Sequence, residues 1–183
     1  NLGPEKPFRW ILYKTNQATD DHLRTMAVSD ISDGDSVWIE VKVSPKPNII
    51  KGGHRFFKVC DSQGDTVKCA VFEPSKTFRH TIDSLEVGDS LIICGSFKKD
   101  TINLEKIRII DLMKRFSKSP NPICDCGRRT HSSGKGMRYR CKVCSKKYDR
   151  PERREVVSDL EIGWYEPPAS ARRHLTTPVS LMR

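Results

Sequence analysis

The stretch Ser36-Val-Trp-Ile-Glu-Val-Lys-Val43 alternates apolar and polar side chains with a period of two residues. Successive side chains of a β-strand point to opposite faces, so the three valines and the isoleucine of this stretch share one face. The pattern predicts a half-buried strand with Trp38, Glu40 and Lys42 on the outer face. This stretch therefore favours a mainly β fold.

Similar strand patterns continue along the chain and are separated by turn residues. Asp61-Ser-Gln-Gly64 contains the glycine that a hairpin turn needs, and Lys98-Lys-Asp100 marks a second turn. Three strands, a helix and two strands are the order of an OB-fold, a five-stranded barrel that binds oligonucleotides, although other small barrels share this order. The predicted strands are 36–43, 54–60, 65–72, 90–97 and 101–112, with a helix over 74–85.

A binding surface on this barrel would need cations for phosphates and rings for bases. The candidates for contact with RNA are Trp38, Lys42, Arg55, Phe57 and Lys99, with Phe56 as the alternative if the register slips by one residue. A Trp or Phe in a small barrel is more often part of the core, so that alternative stays open.

Four cysteines form two pairs on either side of a basic loop, at Cys124-Asp-Cys126 and Cys141-Lys-Val-Cys144. Two thiolate turns of this kind are typical of a zinc ribbon, and four protein ligands predict a structural Zn²⁺ ion. The first pair has only one intervening residue. A disulfide or free thiols are therefore an alternative, and His131 is a substitute ligand if one cysteine of that pair cannot reach the metal.

The remaining cysteines, Cys60, Cys69 and Cys94, lie in apolar strand-like runs and are predicted to be small buried side chains. Seven cysteines without a secretory leader or a long apolar segment predict a soluble, cytoplasmic protein with no membrane contact.

Positive charge is concentrated around the cysteine pairs. Residues 114–154 contain fourteen Lys and Arg and three acids, a net charge of +11, whereas the whole chain carries +10. Such an excess predicts contact with phosphates, although a solvated linker face would have the same composition. Tyrosines among the cations suit stacking on unpaired bases. The candidates are Arg128, Arg129, Lys135, Arg138, Tyr139, Arg140, Lys146 and Lys147.

Both ends of the chain differ from the barrel and the ribbon. Residues 8–13 are predicted to be the last strand of a preceding domain, so the chain is expected to be a fragment. Residues 163–174 combine aromatic side chains, two prolines and a cationic triplet, and are predicted to pack over another surface. The reading frame upstream of Asn1 would test the first expectation.

Four segments together resemble the archaeal agmatinylcytidine synthetase family: Asn16-Gln-Ala-Thr-Asp-Asp-His22, Asn121-Pro-Ile-Cys124, Gly163-Trp-Tyr-Glu-Pro-Pro168 and Ser170-Ala-Arg-Arg-His174. The resemblance covers essentially the whole chain but only the carboxy-terminal part of the family's architecture. It implies an ATP-dependent ligase that joins agmatine to the wobble cytidine of an isoleucine tRNA with a CAU anticodon. The family usually has two residues between the first cysteines, and this chain has one.

The resemblance implies a division of the chain into four parts. They are 1–29, the tail of an α+β ferredoxin-like domain; 30–113, the OB-fold; 114–154, the zinc ribbon with its basic flanks; and 155–183, a carboxy-terminal extension. ATP and Mg²⁺ would be bound by a kinase-like domain outside this chain, because no phosphate-binding glycine loop is present. This fragment alone is expected to be inactive, and no obligate protein partner is expected.

Agmatine is a dication, and carboxylates bind a guanidinium group well. The resemblance makes the loop 16–22 the candidate agmatine site, while Thr19, Asp20 and Asp21 would equally suit a helix cap. The agmatine candidates are Asn16, Gln17, Thr19, Asp20, Asp21 and His22, and Arg172 and Arg173 are added as tRNA contacts. The alternative function is a stand-alone protein that binds single-stranded nucleic acid through its OB-fold and ribbon.

Overall fold

The computed structural model describes residues 8–45, 47–49, 52–117, 119–134, 138–149 and 154–182. One compact unit comprises the chain up to Leu112 together with the chain from Leu160, and the other is Met113–Asp159. The strands are β1 (Ser36–Val43), β2 (Asn48–Ile49), β3 (Arg55–Cys60), β4 (Thr66–Val71), β5 (Ser90–Lys98), β6 (Thr101–Asp111), β7 (Arg115–Phe116), β8 (His131–Ser132), β9 (Tyr139–Arg140), β10 (Lys147–Tyr148), β11 (Glu155–Val156) and β12 (Gly163–Tyr165). The α-helix is α1 (Thr77–Asp83), and 3₁₀ turns lie at Val28–Asp30, Glu73–Ser75, Ala169–Ala171 and Val179–Leu181.

The first unit contains a closed five-stranded barrel. Its strands pair in the order β1, β5, β6, β4, β3, and β3 returns to β1 through the pairs Lys42 with Cys60 and Val43 with Val59. The β4–β6 pairing is parallel and the others are antiparallel. With α1 between β4 and β5, this is the OB-fold topology, so the predicted mainly β barrel is confirmed. The helix begins at Thr77, later than predicted, because a 3₁₀ turn precedes it.

The barrel core follows from the period-two pattern of its strands. Along β1, Val37, Ile39, Val41 and Val43 are all at most 5% exposed. From α1, Phe78 and Ile82 are four residues apart, lie on one helix face and pack into the same core. Complete burial of one such side chain contributes about 1.5–3 kcal/mol, so the inward face of β1 alone accounts for several kcal/mol.

A β-bulge interrupts the pairing of β5 with β6. Cys94 lies opposite Lys106 and Gly95 lies opposite Leu104, so Glu105 is an extra residue on β6. A Cβ atom on Gly95 would collide with the carbonyl oxygen of Asn103, which explains the glycine at this close approach. The bulge breaks the alternation of β6, and both Glu105 and Lys106 become buried.

The carboxy-terminal segment adds a strand to the barrel sheet. In β12, Trp164 pairs with Arg108 of β6 in antiparallel orientation. The surface over which residues 163–174 were predicted to pack therefore includes the barrel of the same chain. Residues 8–13 form no strand within this chain and their apolar side chains are exposed, so their assignment to a preceding domain stays a prediction.

The second unit contains short strands only. β8, β9 and β10 form a three-stranded antiparallel sheet, and β7 pairs with β11. Within the described ranges, no helix has the length and hydropathy needed to cross a membrane.

Candidate functional site

The four cysteines of the two pairs converge in the second unit. Their sulfur atoms all lie within 4.8 Å of one another. The Sγ–Sγ distances are 3.2 Å for Cys124 and Cys144, 3.6 Å for Cys126 and Cys141, and 3.9 Å for Cys126 and Cys144. Tetrahedral ligands about 2.3 Å from Zn²⁺ would be about 3.8 Å apart, so this donor set fits one structural zinc ion.

Of the alternatives to this ligand set, the structure contradicts the disulfide, because none of the four cysteines is bonded to another. His131 lies exposed on β8 and is not part of the sulfur cluster, so both cysteines of the shortened Cys124-Asp-Cys126 turn stay the predicted ligands.

The first ligand turn closes tightly because of Gly127. This residue has φ of 76°, a conformation that favours glycine, and its amide donates to the carbonyl of Cys124 at 2.7 Å. The amide of Cys124 donates in turn to the carbonyl of Arg128 at 2.8 Å. Below the turn, the hydroxyl of buried Thr130 donates to the carbonyl of Pro122 at 2.7 Å. The backbone therefore holds the cysteines in place with only one residue between them.

Tyr148 supports the metal site directly. Its hydroxyl donates to Sγ of Cys124 at 3.1 Å and accepts from the amide of Asp125 at 3.1 Å. The backbone amide of Cys126, followed by the Tyr148 hydroxyl, lowers the pKa of the Cys124 thiol to about 6. The same contact raises the pKa of Tyr148 to about 12. A thiol that ionises readily is suited to binding a metal, because cysteine binds zinc as the thiolate.

The basic candidates that lie in the described part of the ribbon are exposed, and two of them, Arg140 and Lys147, are directly opposite each other on neighbouring strands. Arg140 of β9 is paired with His131 on one side and with Lys147 on the other. Like charges directly opposite each other are unfavourable unless an anion neutralises them. Two neighbouring cations are partly neutralised: Arg138 pairs with Asp149 at 3.0 Å, and Lys146 with Asp125 at 2.9 Å.

The other ribbon candidates divide into three groups. Arg128 and Arg129 are exposed beside the first ligand turn. Tyr139 is half-buried and is paired with Tyr148 across the strands. Lys135 lies outside the described residues.

On the barrel, two nominated residues are corrected. The ring of Phe57 is 4% exposed and belongs to the core, so it is unavailable for stacking. Arg55 is buried and forms a two-point contact with Asp83 of α1, in which Nη2 lies 2.7 Å from Oδ2. The outward residue is the alternative, Phe56, whose ring packs edge-on against Phe72 at 6.3 Å. Arg55, Phe57 and Val59 of β3 are all buried, so these alternate residues point inward and Phe56 and Lys58 point outward.

Two lysines that the sequence reasoning missed lie on the same face as Phe56. Lys58 and Lys68 are exposed and stand directly opposite each other on β3 and β4. Lys58 is two residues after Phe56 on β3, and Lys68 is two residues before Ala70 on β4. This period-two spacing could have identified both lysines as members of the same face. Of the remaining candidates, Lys42 and Lys99 are exposed, and Trp38 is half-buried with its ring centroid 5.1 Å from that of Trp164.

The loop 16–22 is a series of turns on the barrel. The Thr19 hydroxyl donates to the carbonyl of Asn16 at 2.8 Å and accepts from the amide of Asp21 at 3.2 Å. Asn16, Gln17 and Asp21 are exposed. No helix follows Asp20 in the described part of this region, so the helix-cap alternative is wrong.

Asp20 and His22 are both bound by the barrel. The carboxylate of Asp20 forms an ion pair with the buried ammonium group of Lys106. Its other oxygen accepts from the amide of Thr177 at 2.8 Å. Nε2 of His22 lies 2.9 Å from Oε2 of Glu105.

The two arginines nominated in the carboxy-terminal segment are bound to carboxylates of the chain itself. Arg172 pairs with Glu166 at 2.9 Å. Nη1 of Arg173 lies 2.6 Å from Oε1 of Glu105 and 2.6 Å from the hydroxyl of Ser96. Both guanidinium groups therefore contribute to the fold, and their nomination as tRNA contacts stays a prediction.

Comparison with known proteins gives a consistent result. Residues 121–160 match the family described as the TiaS C-terminal zinc ribbon domain. The chain is 45% identical over 176 residues to the isoleucine-tRNA 2-agmatinylcytidine synthetase TiaS of Archaeoglobus fulgidus, covering 95% of this chain and 41% of that protein. The chain thus spans about two fifths of the length of the curated relatives it matches.

Solved structures give the same relationship. A complex of TiaS with its isoleucine tRNA and ATP matches with a TM-score of 0.75 and 44% identity over 92% of this chain and 39% of the other. A complex of TiaS with the same tRNA, AMPCPP and agmatine matches with a TM-score of 0.71 and 39% identity over 91% of this chain and 38% of the other.

Proposed function

We propose, since the chain belongs to the TiaS family, that it is the tRNA-recognition part of an ATP-dependent ligase. The complete enzyme would join agmatine to the wobble cytidine of the isoleucine tRNA. ATP and Mg²⁺ would be bound by a kinase-like part of the enzyme that lies outside this chain. The reaction would take place in the cytoplasm.

The observation that carries this proposal is the pair of cations Arg140 and Lys147, which lie opposite each other on neighbouring strands of the ribbon. Arg140 lies between His131 and Lys147 on a small sheet. The metal site fixes that sheet, because Tyr148 of β10 binds Cys124. Two like charges held opposite each other are unfavourable alone and favourable beside phosphates, since each contact releases counterions. The ribbon is therefore suited to holding the anticodon loop.

The barrel would contact the body of the tRNA through its outward face. Phe56, Lys58 and Lys68 replace the inward-facing residues Arg55 and Phe57 in this role. Extrusion of the wobble cytidine toward the kinase-like domain would expose the reacting carbon, which is hard to reach while the base is stacked.

Agmatine would contact the loop 16–22 through the side chains that this loop exposes. Asp21, Asn16 and Gln17 are the exposed polar groups. Asp20 is less available than Asp21, because each of its carboxylate oxygens already accepts a hydrogen bond within the chain. In this proposal, residues 1–29 end the ferredoxin-like domain, 30–113 form the OB-fold, 114–154 the ribbon and 155–183 the carboxy-terminal extension.

The test compares binding of the isoleucine tRNA by this chain and by Arg140→Ala at several salt concentrations. The variant should bind more weakly, and its salt dependence should decrease by about 0.7–0.9 of a unit of slope for each lost phosphate contact. Lys114→Ala is the matched control, because it removes an exposed charge that is paired with Glu155. Equal affinity and slope for wild type and Arg140→Ala would contradict the proposal.

A second experiment separates recognition from chemistry. The chain alone should bind the isoleucine tRNA yet form no agmatinylcytidine from ATP and agmatine. Supplying the missing part of the enzyme should restore the reaction. A stand-alone single-strand-binding protein would instead bind unrelated single-stranded RNA as tightly as the tRNA.

A further inference from the structure

Lys106 is a charged residue in the interior of the molecule. It lies on β6, and its side chain is 0% exposed. Its ammonium group contacts the carboxylate of Asp20, the carbonyl oxygen of Thr177 at 3.2 Å and Sδ of Met182 at 3.4 Å. An ammonium group has three hydrogen-bond donors, and each of them has an acceptor here.

Two tryptophan rings enclose the same ammonium group. Nζ lies 5.8 Å from the ring centroid of Trp38 and 5.4 Å from that of Trp164. Both distances are within the range of a cation–π interaction, which is stronger when the cation is removed from water. A carboxylate, a carbonyl oxygen and two aromatic rings thus form a site that suits a primary ammonium ion, and the ammonium group of Lys106 occupies this site.

The residues that form this ammonium site come from distant parts of the sequence. Asp20 belongs to the loop 16–22, and Thr177 and Met182 belong to the carboxy-terminal segment. The same two segments are joined by backbone hydrogen bonds, from the amide of Ala18 to His174 at 2.9 Å and from the amide of Thr19 to Leu175 at 3.2 Å. One buried charge therefore connects two segments that do not belong to the barrel.

Glu105 makes the equivalent contacts with the opposite charge. It binds His22 of the loop at 2.9 Å, and the hydroxyl of Thr176 in the carboxy-terminal segment at 2.6 Å. The β-bulge at Glu105 makes this possible, because a regular strand would turn two consecutive residues to opposite faces. Each residue of the pair thus contacts one residue of the loop and two of the carboxy-terminal segment.

We propose that Lys106 is a positioning residue, whose ammonium group holds the loop 16–22 against the carboxy-terminal segment by occupying a primary-ammonium site. The carboxylate of Asp20 is part of this site, and the neighbouring carboxylate of Asp21 remains exposed. This link between the loop 16–22 and the carboxy-terminal segment, the Lys106 tie, is independent of tRNA binding. Its consequence, that the loop presents Asp21 to agmatine, rests on the proposed function.

Hydrogen exchange of this chain tests the tie without any RNA or agmatine. In Lys106→Met, which keeps a long unbranched side chain and removes its charge, the amides of Ala18 and Thr19 should exchange at least about tenfold faster. Amides at the centre of β5 should keep their protection. Lys99→Met, at an exposed turn, is the matched control and should leave every rate unchanged. Wild-type rates at Ala18 and Thr19 in a folded Lys106→Met protein would overturn the proposal.

Chemical rescue separates an ammonium site from a general packing effect. Lys106→Ala removes the equivalent of n-propylammonium, so millimolar n-propylammonium should slow the exchange of Ala18 and Thr19 again, and n-propanol should not. Rescue by both compounds, or by neither, would overturn the assignment of the site. If neither Lys106 variant folds, hydrogen exchange of the Asp20→Asn variant tests the tie instead. Faster exchange of the same amides is expected, and wild-type rates would reject the tie.

The outcomes of this test and of the tRNA-binding test are distinguishable. Loss of the tie would change exchange at the loop whether or not the chain binds tRNA. Loss of tRNA binding in Arg140→Ala would leave the exchange rates of Ala18 and Thr19 as they are in the wild type.

Discussion

Lys58 of β3 and Lys68 of β4 stand directly opposite each other on the outward face of the barrel, and both are exposed. Facing lysines repel each other, so the pair lowers the stability of the isolated chain and becomes favourable beside an anion. Phe56 lies two residues before Lys58 on the same face, which adds a ring to the two charges. The arrangement suits a strand of RNA whose phosphates follow the lysines.

Lys68→Ala should weaken tRNA binding and reduce the salt dependence of the binding constant by about 0.7–0.9 of a unit of slope. Thermal stability should stay the same or rise slightly, because the repulsion with Lys58 is removed. Fluorescence anisotropy at several salt concentrations measures the first effect, and thermal unfolding measures the second. Arg24→Ala, an exposed cation outside this face, should change neither. An unchanged salt slope in Lys68→Ala would show that this face does not contact phosphates.

Native protein should contain one zinc ion per chain, bound by the four clustered cysteines. Cys141→Ser should lose the metal and unfold the ribbon, while the barrel keeps its own unfolding transition, since the two are separate compact units. Elemental analysis and thermal unfolding measure these effects. Cys60→Ser should retain a full complement of zinc, because that thiol lies on β3 of the barrel. Freshly reduced native protein without zinc would contradict the assignment.

Tyr148→Phe should weaken zinc binding by about tenfold, because it removes the hydroxyl that donates to Sγ of Cys124. A competition titration with a chelator measures the change. Tyr139→Phe is the control, since this ring pairs with Tyr148 across the strands and lies outside the cysteine cluster. Equal zinc affinities for the wild type and Tyr148→Phe would show that the hydroxyl has no effect on the metal.

The pH dependence of stability should include a contribution from Asp61. The backbone amide of Val28, with further amides of the β3–β4 turn, lowers the pKa of this carboxyl below its usual value. A carboxyl with a lowered pKa in the folded state stabilises the protein above its unfolded pKa of about 3.9, and this contribution is lost as the pH falls through the folded value. Asp61→Asn should therefore be less stable than the wild type near neutral pH, with a difference that shrinks in acid.

Unfolding by denaturant at several pH values measures this difference. Asp65→Asn, in the same turn, should follow the wild-type curve, because the carboxylate of Asp61, and not that of Asp65, accepts the turn amides. A constant difference between wild type and Asp61→Asn from neutral pH into acid would contradict the contribution of its ionised form.

Much of the fold was predictable because it depends on neighbours in sequence. The alternation in residues 36–43 identified a strand and its inward face, and Asp61–Gly64 identified the turn between two others. In the ribbon, two short cysteine turns were enough to predict the ligands, since each turn is built by local hydrogen bonds.

Local patterns failed where a residue's environment comes from far along the chain. Arg55 points inward although it is charged, because Asp83 of α1 neutralises it. Asp20 had the local sequence of a helix cap, and its partner is Lys106, 86 positions away.

The sequence by itself determined a mainly β fold, the positions of its strands and two cysteine turns typical of a zinc ribbon, because strand periodicity, turn residues and ligand spacing are properties of short segments. Only the tertiary structure decided which polar groups remain exposed. Glu105 and Lys106 would alternate in a regular strand, and a bulge together with two distant segments buries both. A buried charge requires a partner, and the partner is chosen by how the chain closes in space.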